Sequence, residues 1–182
     1  MRLHQIKKIS LLFFTTCAAM VMLTSCDKEP IGPTGPDPLG PGDYMSFADF
    51  RALYPGSGTF VFPTGTKRIR GRVISKNTNE AAGSYRLQDE SGAGIYFYSV
   101  IGSPVYPLDA ILEINPNDGG KFTLYNGDLE LMSVPQANVT QVSGAITITP
   151  RVATIADIIT NRNTWASSLV KINNVTGIFS TP

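Results

Sequence analysis

The residues best equipped for acid–base or nucleophilic chemistry are scarce and crowded at one end of this chain. The single histidine is His4, and the two cysteines are Cys17 and Cys26. What remains is of three kinds. Carboxylates stand close together at Asp89-Glu90 and at Asp128 with Glu130. Glycoside hydrolysis needs two carboxyls roughly 5–10 Å apart across a cleft, and these neighbours read as turn charges or as the outer face of a hairpin. Oxygen donors gather at Asn115, Asn117, Asp118 and Asp128. Such density suits calcium, but the spacing departs from a calcium loop, and Asn, Asp and Gly are also the residues that turns demand. The third kind is a surface: Arg68, Arg70, Arg72, Arg86 and Gln88 share one strand parity with Tyr96 and Tyr98.

The position of the histidine and cysteines decides how much of this chemistry survives. Arg2, Lys7 and Lys8 precede an uncharged run from Ile9 to Leu23. That run is too short for a membrane-spanning helix of roughly 20 residues, and its basic start and small-residue end are those of an export signal. Its last residues, Leu23-Thr24-Ser25-Cys26, resemble the lipobox of bacterial lipoproteins. The resemblance implies cleavage before Cys26 and a diacylglycerol thioether on its sulfur, which would hold the protein at a membrane surface. Residues 1–25 are therefore expected to be a lipoprotein signal peptide. Their removal takes His4 and Cys17 away, leaving Cys26 as the lone cysteine. Disulfides, His/Cys zinc sites and histidine-based triads are then excluded. Loss of Arg2, Lys7 and Lys8 from the 15 basic residues leaves 12 against 14 acidic ones, so the remaining chain is near neutral. No catalytic residue, cofactor or metal is expected.

The elements that must carry the surface residues begin after a tether. Residues 26–45, the expected lipidated cysteine and flexible linker, are dense in Pro and Gly and would run extended at roughly 3.1 Å per residue. A collagen reading of GPTGP fails because the glycine period breaks between Gly35 and Gly40. SFADFRALYPGSG predicts a short helix capped by Ser46 with Asp49 as its partner, and Phe47, Phe50 and Leu53 on one face. KRIRGRVISK alternates, with Ile69, Gly71 and Val73 inward and Arg68, Arg70 and Arg72 outward. Tyr85 and Leu87 are expected inward, Arg86 and Gln88 outward; Ile95 and Phe97 oppose Tyr96 and Tyr98 in the same way. ILEIN at 111–115 is a further strand. In KFTLYNGDLELM, Asn126-Gly127 marks a two-residue hairpin turn that pairs Leu124 with Leu129 and Phe122 with Leu131. TIADIIT predicts a second helix capped by Thr154 with Asp157, and SLVKINNVTGIF a closing strand. Short strands at regular spacing with two short helices predict a mainly all-β domain, a small barrel, over 46–182.

The succession RIRGRVISK, YRLQDESGAGIYFY, ILEI, LYNGDLELMSV, TIADIIT and SLVKINNVTGIF resembles an OB-like β-barrel. It is similar to OB-like domains of secreted bacterial nucleases, and more so to an uncharacterised domain family of Bacteroidetes lipoproteins. The resemblance implies an OB-like barrel that can continue past Pro182, and it supplies no catalytic residues. OB folds bind oligonucleotides and oligosaccharides on their outer sheet. Arg68, Arg70, Arg72, Arg86, Gln88, Tyr96 and Tyr98 are accordingly the expected ligand surface, with a plain solvated exterior as the other reading. The expected function is non-catalytic binding of a glycan, a polyanion or another extended polymer in the cell envelope, anchored at the outer membrane through Cys26. Nucleic acid is less expected, because the near-neutral charge lacks the basic excess of such binders. The alternatives are a spacer or protein-docking module, and an accessory domain of a nuclease. Trp165, between helix and closing strand, is expected to plug the core.

Overall fold

The computed structural model describes residues 44–99 and 104–175. The predicted signal peptide, Cys26 and the Pro/Gly-rich tether up to residue 43 lie outside the described residues. None of the described helices is long and apolar enough to cross a membrane.

The first helix follows from its cap. Ser46 Oγ accepts the Asp49 N–H at 3.1 Å and donates to Asp49 Oδ2 at 2.7 Å, starting α1 (Phe47–Ala52). Six residues are too few for a helix that stands alone. Packing supplies the rest. Phe50 stacks on Phe62 at 4.6 Å and leans on Phe122 at 4.8 Å. Phe47 lies against Gly71, where an added Cβ would sit 2.2 Å from the ring. The Phe47 N–H, one of the helix's unpaired first donors, is taken by Asp89 Oδ2 at 2.7 Å.

Eight strands form one sheet: β1 (Phe60–Val61), β2 (Ile69–Val73), β3 (Ser84–Gln88), β4 (Gly94–Tyr98), β5 (Ile111–Ile114), β6 (Lys121–Tyr125), β7 (Asp128–Met132) and β8 (Val139–Val142). Their order is β1-β6-β7-β4-β3-β2-β5-β8. The alternation predicted for β2 is seen, with Ile69, Gly71 and Val73 buried and the arginines between them half-buried. The hairpin takes the predicted register, Leu124 opposite Leu129, Phe122 opposite Leu131 and Thr123 opposite Glu130. Asn126 (φ 51°) and Gly127 (φ 87°) both take the left-handed conformation a tight hairpin turn requires. β7 then runs parallel to β4, Tyr96 facing Glu130, which joins hairpin to meander.

The sheet curls. β6 and β2 lie four places apart in the order, roughly 19 Å along a flat sheet. Yet one short helix puts Phe50 on Phe122 and Phe47 on Gly71. The corner between β5 and β6 straps the two sheet margins together. On one side Gly120 O accepts from Phe62 N (3.0 Å) and Asn117 Oδ1 from Thr66 N (3.1 Å). On the other, Asn115 N donates to Asn138 O (2.9 Å), and Asn138 Nδ2 to Asn117 O (3.1 Å). Of the side chains weighed as calcium ligands, Asn115, Asn117 and Asp118 thus serve the corner itself, Asn117 N donating to Asn115 Oδ1 and Asn138 Nδ2 to Asp118 Oδ2, while Asp128 stands apart on β7. The all-β expectation holds. No ladder joins β1 to β8 among the described residues, and the edges meet through this strap.

The C-terminal part forms an annex: β9 (Arg151–Val152), α2 (Ile155–Thr160), α3 (Arg162–Trp165) and β10 (Val170–Lys171). The second predicted helix is present as α2, with Thr154 and Asp157 in a reciprocal capping box. The expected closing strand is not part of the large sheet. Of SLVKINNVTGIF, the described residues show only Val170–Lys171 as strand, paired parallel with β9. Its apolar residues do not alternate cleanly, and the Leu169 N–H is captured by the side chain of Gln88 at 2.8 Å instead of by a sheet edge.

Candidate functional site

Parity placed the predicted surface residues correctly on one side of three adjacent strands. Arg72 stands opposite Gln88, and Arg86 opposite Tyr96, whose ring lies 4.8 Å beneath the guanidinium carbon. Tyr98 faces Ser84. The electrostatics differ from the expectation of an open basic face. Glu113, on the same side of β5, lies 3.8 Å from Arg68 and 3.6 Å from Arg70. Arg72 grips Asp109 at 2.6 Å, and Arg86 meets Glu80 at 3.1 Å. Arg70 and Arg72 also donate to the backbone carbonyls of Ser143 and Ile146. Each arginine of the predicted surface therefore meets a carboxylate.

Gln88 corrects the sequence reading directly. It points outward by register, yet only 1 % of it is exposed. The annex covers it: its Oε1 accepts from Leu169 N, and its Nε2 donates to Gly92 O at 3.3 Å. Alongside, Arg86 Nη1 donates to Ser167 Oγ at 3.0 Å, and Arg51 Nη1 to Gly94 O at 2.8 Å while its other arm reaches Asn163 O. The backbone of Ser167 passes so close to Gly94 that a Cβ there would lie 1.9 Å from its carbonyl oxygen.

Two acidic residues read as solvated turn charges are buried. Asp89 accepts from Phe47 N, Ser91 N and Ser91 Oγ, pinning helix to turn. Glu130 is 7 % exposed, and its carboxyl is held above the usual carboxylate range by burial first and by nearby Asp128 second, with Arg86 opposing.

The annex builds a site that sequence reading missed. Between α1, the β6–β7 hairpin and α3 lies a cleft of about 700 Å³, within the size range of small-ligand sites. Trp165 lines it; expected as a core plug, it is half-buried and stands outside the core. Arg151 from β9 stacks on the indole, its guanidinium carbon 4.5 Å from the ring centre. Arg51 enters from α1; burial lowers its pKa, and Asp128 works the other way. Tyr54, Leu124 and Leu129 give the wall an apolar stretch, and Asn163 and Thr164 a polar rim. No Asp or Glu lines the cleft. It offers an aromatic plate beside cationic donors, an arrangement for holding a ring with polar or anionic substituents. The single clue in the sequence was a lone tryptophan two residues from Asn163.

Comparisons with family models, with curated proteins and with solved structures returned no match to this chain.

Proposed function

We propose that this is a non-catalytic binding domain of the cell envelope, carried on a lipid anchor at Cys26 and an extended tether at the outer membrane, that holds a glycan or another extended polymer. The observation that carries the reading is the cleft: Trp165 and Tyr54 beside Arg51 and Arg151, with apolar wall and polar rim in one hollow. Sugar rings present an apolar face to an indole and hydroxyls to amides and guanidinia, and this hollow supplies both. The predicted surface of Arg68, Arg70, Arg72, Arg86, Tyr96 and Tyr98 becomes a secondary platform, because its cations already meet Glu113, Asp109 and Glu80. Trp165 is the only tryptophan of the chain, so its fluorescence reports the cleft alone. Titration of the purified full chain in detergent with a glycan panel should shift that emission for one glycan class and not for others. Unchanged emission and no heat across the panel would overturn the reading.

A docking module is the second reading. Val152 (65 %), Ile155 (63 %) and Ile159 (72 %) are exposed on the annex within one short stretch of sequence. If that surface is the functional one, Ile155→Ser with Ile159→Ser abolishes capture of an envelope protein, while Trp165→Ala leaves it unchanged.

A further inference from the structure

The cationic groups of this protein fall into two electrostatic classes. On the outer sheet each of Arg68, Arg70, Arg72 and Arg86 has a carboxylate within 4 Å. In the cleft no acidic side chain takes part in the lining. Arg51 commits two of its five N–H donors to backbone carbonyls. Arg151 is different again. Its guanidinium carbon lies over the Trp165 ring, 4.5 Å from the ring centre, so the indole covers one side of the cation. Among the described residues its guanidinium N–H groups have no protein acceptor. A half-buried guanidinium held over an indole, with its N–H donors left without a protein acceptor, is available to a planar or tetrahedral oxyanion.

We infer that the cleft selects an acidic glycan, a saccharide whose carboxylate or sulfate is gripped by the edge of Arg151. This rests on the cleft being the binding site proposed above. The second cation, Arg51, is opposed by Asp128 nearby, so the positive charge that favours an anion over the uncharged analogue comes chiefly from Arg151. The apolar wall of Leu124 and Leu129 accepts the C–H face of the sugar ring. A single-stranded nucleic acid is the less favoured polyanion. Tracking a phosphate backbone requires a run of basic side chains, and here one guanidinium serves a single anionic group.

The test uses the full chain in detergent, Trp165 emission and calorimetry. The probes are galacturonic-acid and glucuronic-acid oligosaccharides, each paired with its carboxyl-reduced counterpart, together with a sulfated oligosaccharide and oligothymidylate. An acidic sugar, carboxylate or sulfate, is expected to bind at least about tenfold tighter than the neutral sugar of the same linkage, a gap that shrinks with added salt. Arg151→Gln should erase the gap and leave the neutral sugar's weak binding intact. Arg151→Lys should restore only part of it, since an ammonium lacks the planar fork. Should Arg151→Gln lower the melting midpoint, the salt dependence of the wild-type pair decides instead. Equal affinity for acidic and reduced sugars overturns this inference while the glycan reading stands. Binding of oligothymidylate tighter than every sugar overturns it in favour of nucleic acid, and absence of any binding removes both readings together.

Discussion

The sheet and the annex are built on opposite terms. Inside the sheet, Phe47, Phe50, Phe97, Phe122, Leu87, Leu112 and Ile114 are all fully buried, and side chains from both margins join one apolar cluster. In the annex, α2 buries none of its residues, and Ile155 and Ile159 face out. What attaches the annex is polar and local: the Arg51 fork to Gly94 O and Asn163 O, Arg86 to Ser167, Gln88 to Leu169. Hydrogen bonds of this kind contribute about 1–3 kcal/mol each net of water, the upper end for those donated by arginine, whereas one deeply buried phenylalanine is worth about 3–5 kcal/mol against alanine. The annex is therefore the part that opens first, and the cleft it forms with α1 and the hairpin is made where a rigid wall meets a lightly held one.

The sharpest way to break this contrast is at two glycines. Gly71→Ala drives a methyl into the ring of Phe47, 2.2 Å away in a packed core. We expect a loss of about 3 kcal/mol, seen as a drop in the denaturation midpoint of the whole fold. Gly94→Ala meets the Ser167 carbonyl at 1.9 Å. Here the annex can move aside, so about 2 kcal/mol or less is lost. Hydrogen exchange should quicken at Ala153 and Leu169 and stay slow at Leu112. Equal effects of the two substitutions on Leu112 exchange would mean that sheet and annex unfold as one unit.

A smaller effect is expected within the annex. Thr154→Ala removes the hydroxyl that accepts from Asp157 N at 3.1 Å and donates back at 2.7 Å. The cost is about 1 kcal/mol, confined to α2, and a fall in the global denaturation midpoint would count against the separation. The smallest concerns the sheet's outer face. Because the folded protein holds the Glu130 proton more tightly than the ordinary value of 4.5, stability falls as pH rises from that value through the raised one. Glu130→Gln should match wild type below about pH 4, where both forms are uncharged, and exceed it at pH 7. A wild-type advantage at pH 7 would reverse the assignment.

The strands and both helix caps were legible because they depend on neighbours close in sequence: alternation across Ile69–Val73, Asn126-Gly127 for the hairpin, Ser46 with Asp49. The partnering of the arginines was within reach, since Glu113 occupies the outward position of ILEI, directly opposite Arg70. Gln88 shows what parity leaves out. It tells which side of a sheet a residue faces, not what is laid over that side, and the covering residue here is Leu169, 81 positions away. The cleft was hidden for the same reason: Arg51 and Arg151 are brought to one hollow by a chain path that no periodicity records. Asp89 and Glu130 read as ordinary turn and surface charges because burial of a carboxylate depends on a tertiary neighbour, α1 for the first and the parallel β4–β7 register for the second.

Tyr44 forms a parallel bridge to Arg68, and the Met45 N–H donates to Arg68 O at 2.8 Å. Phe47 then seats against Gly71 and gives its N–H to Asp89. A pull arriving from the N-terminal side would load these contacts first, on β2 and α1. Because α1 also forms one wall of the hollow beside Trp165, such a load would reach that wall before it reached the annex.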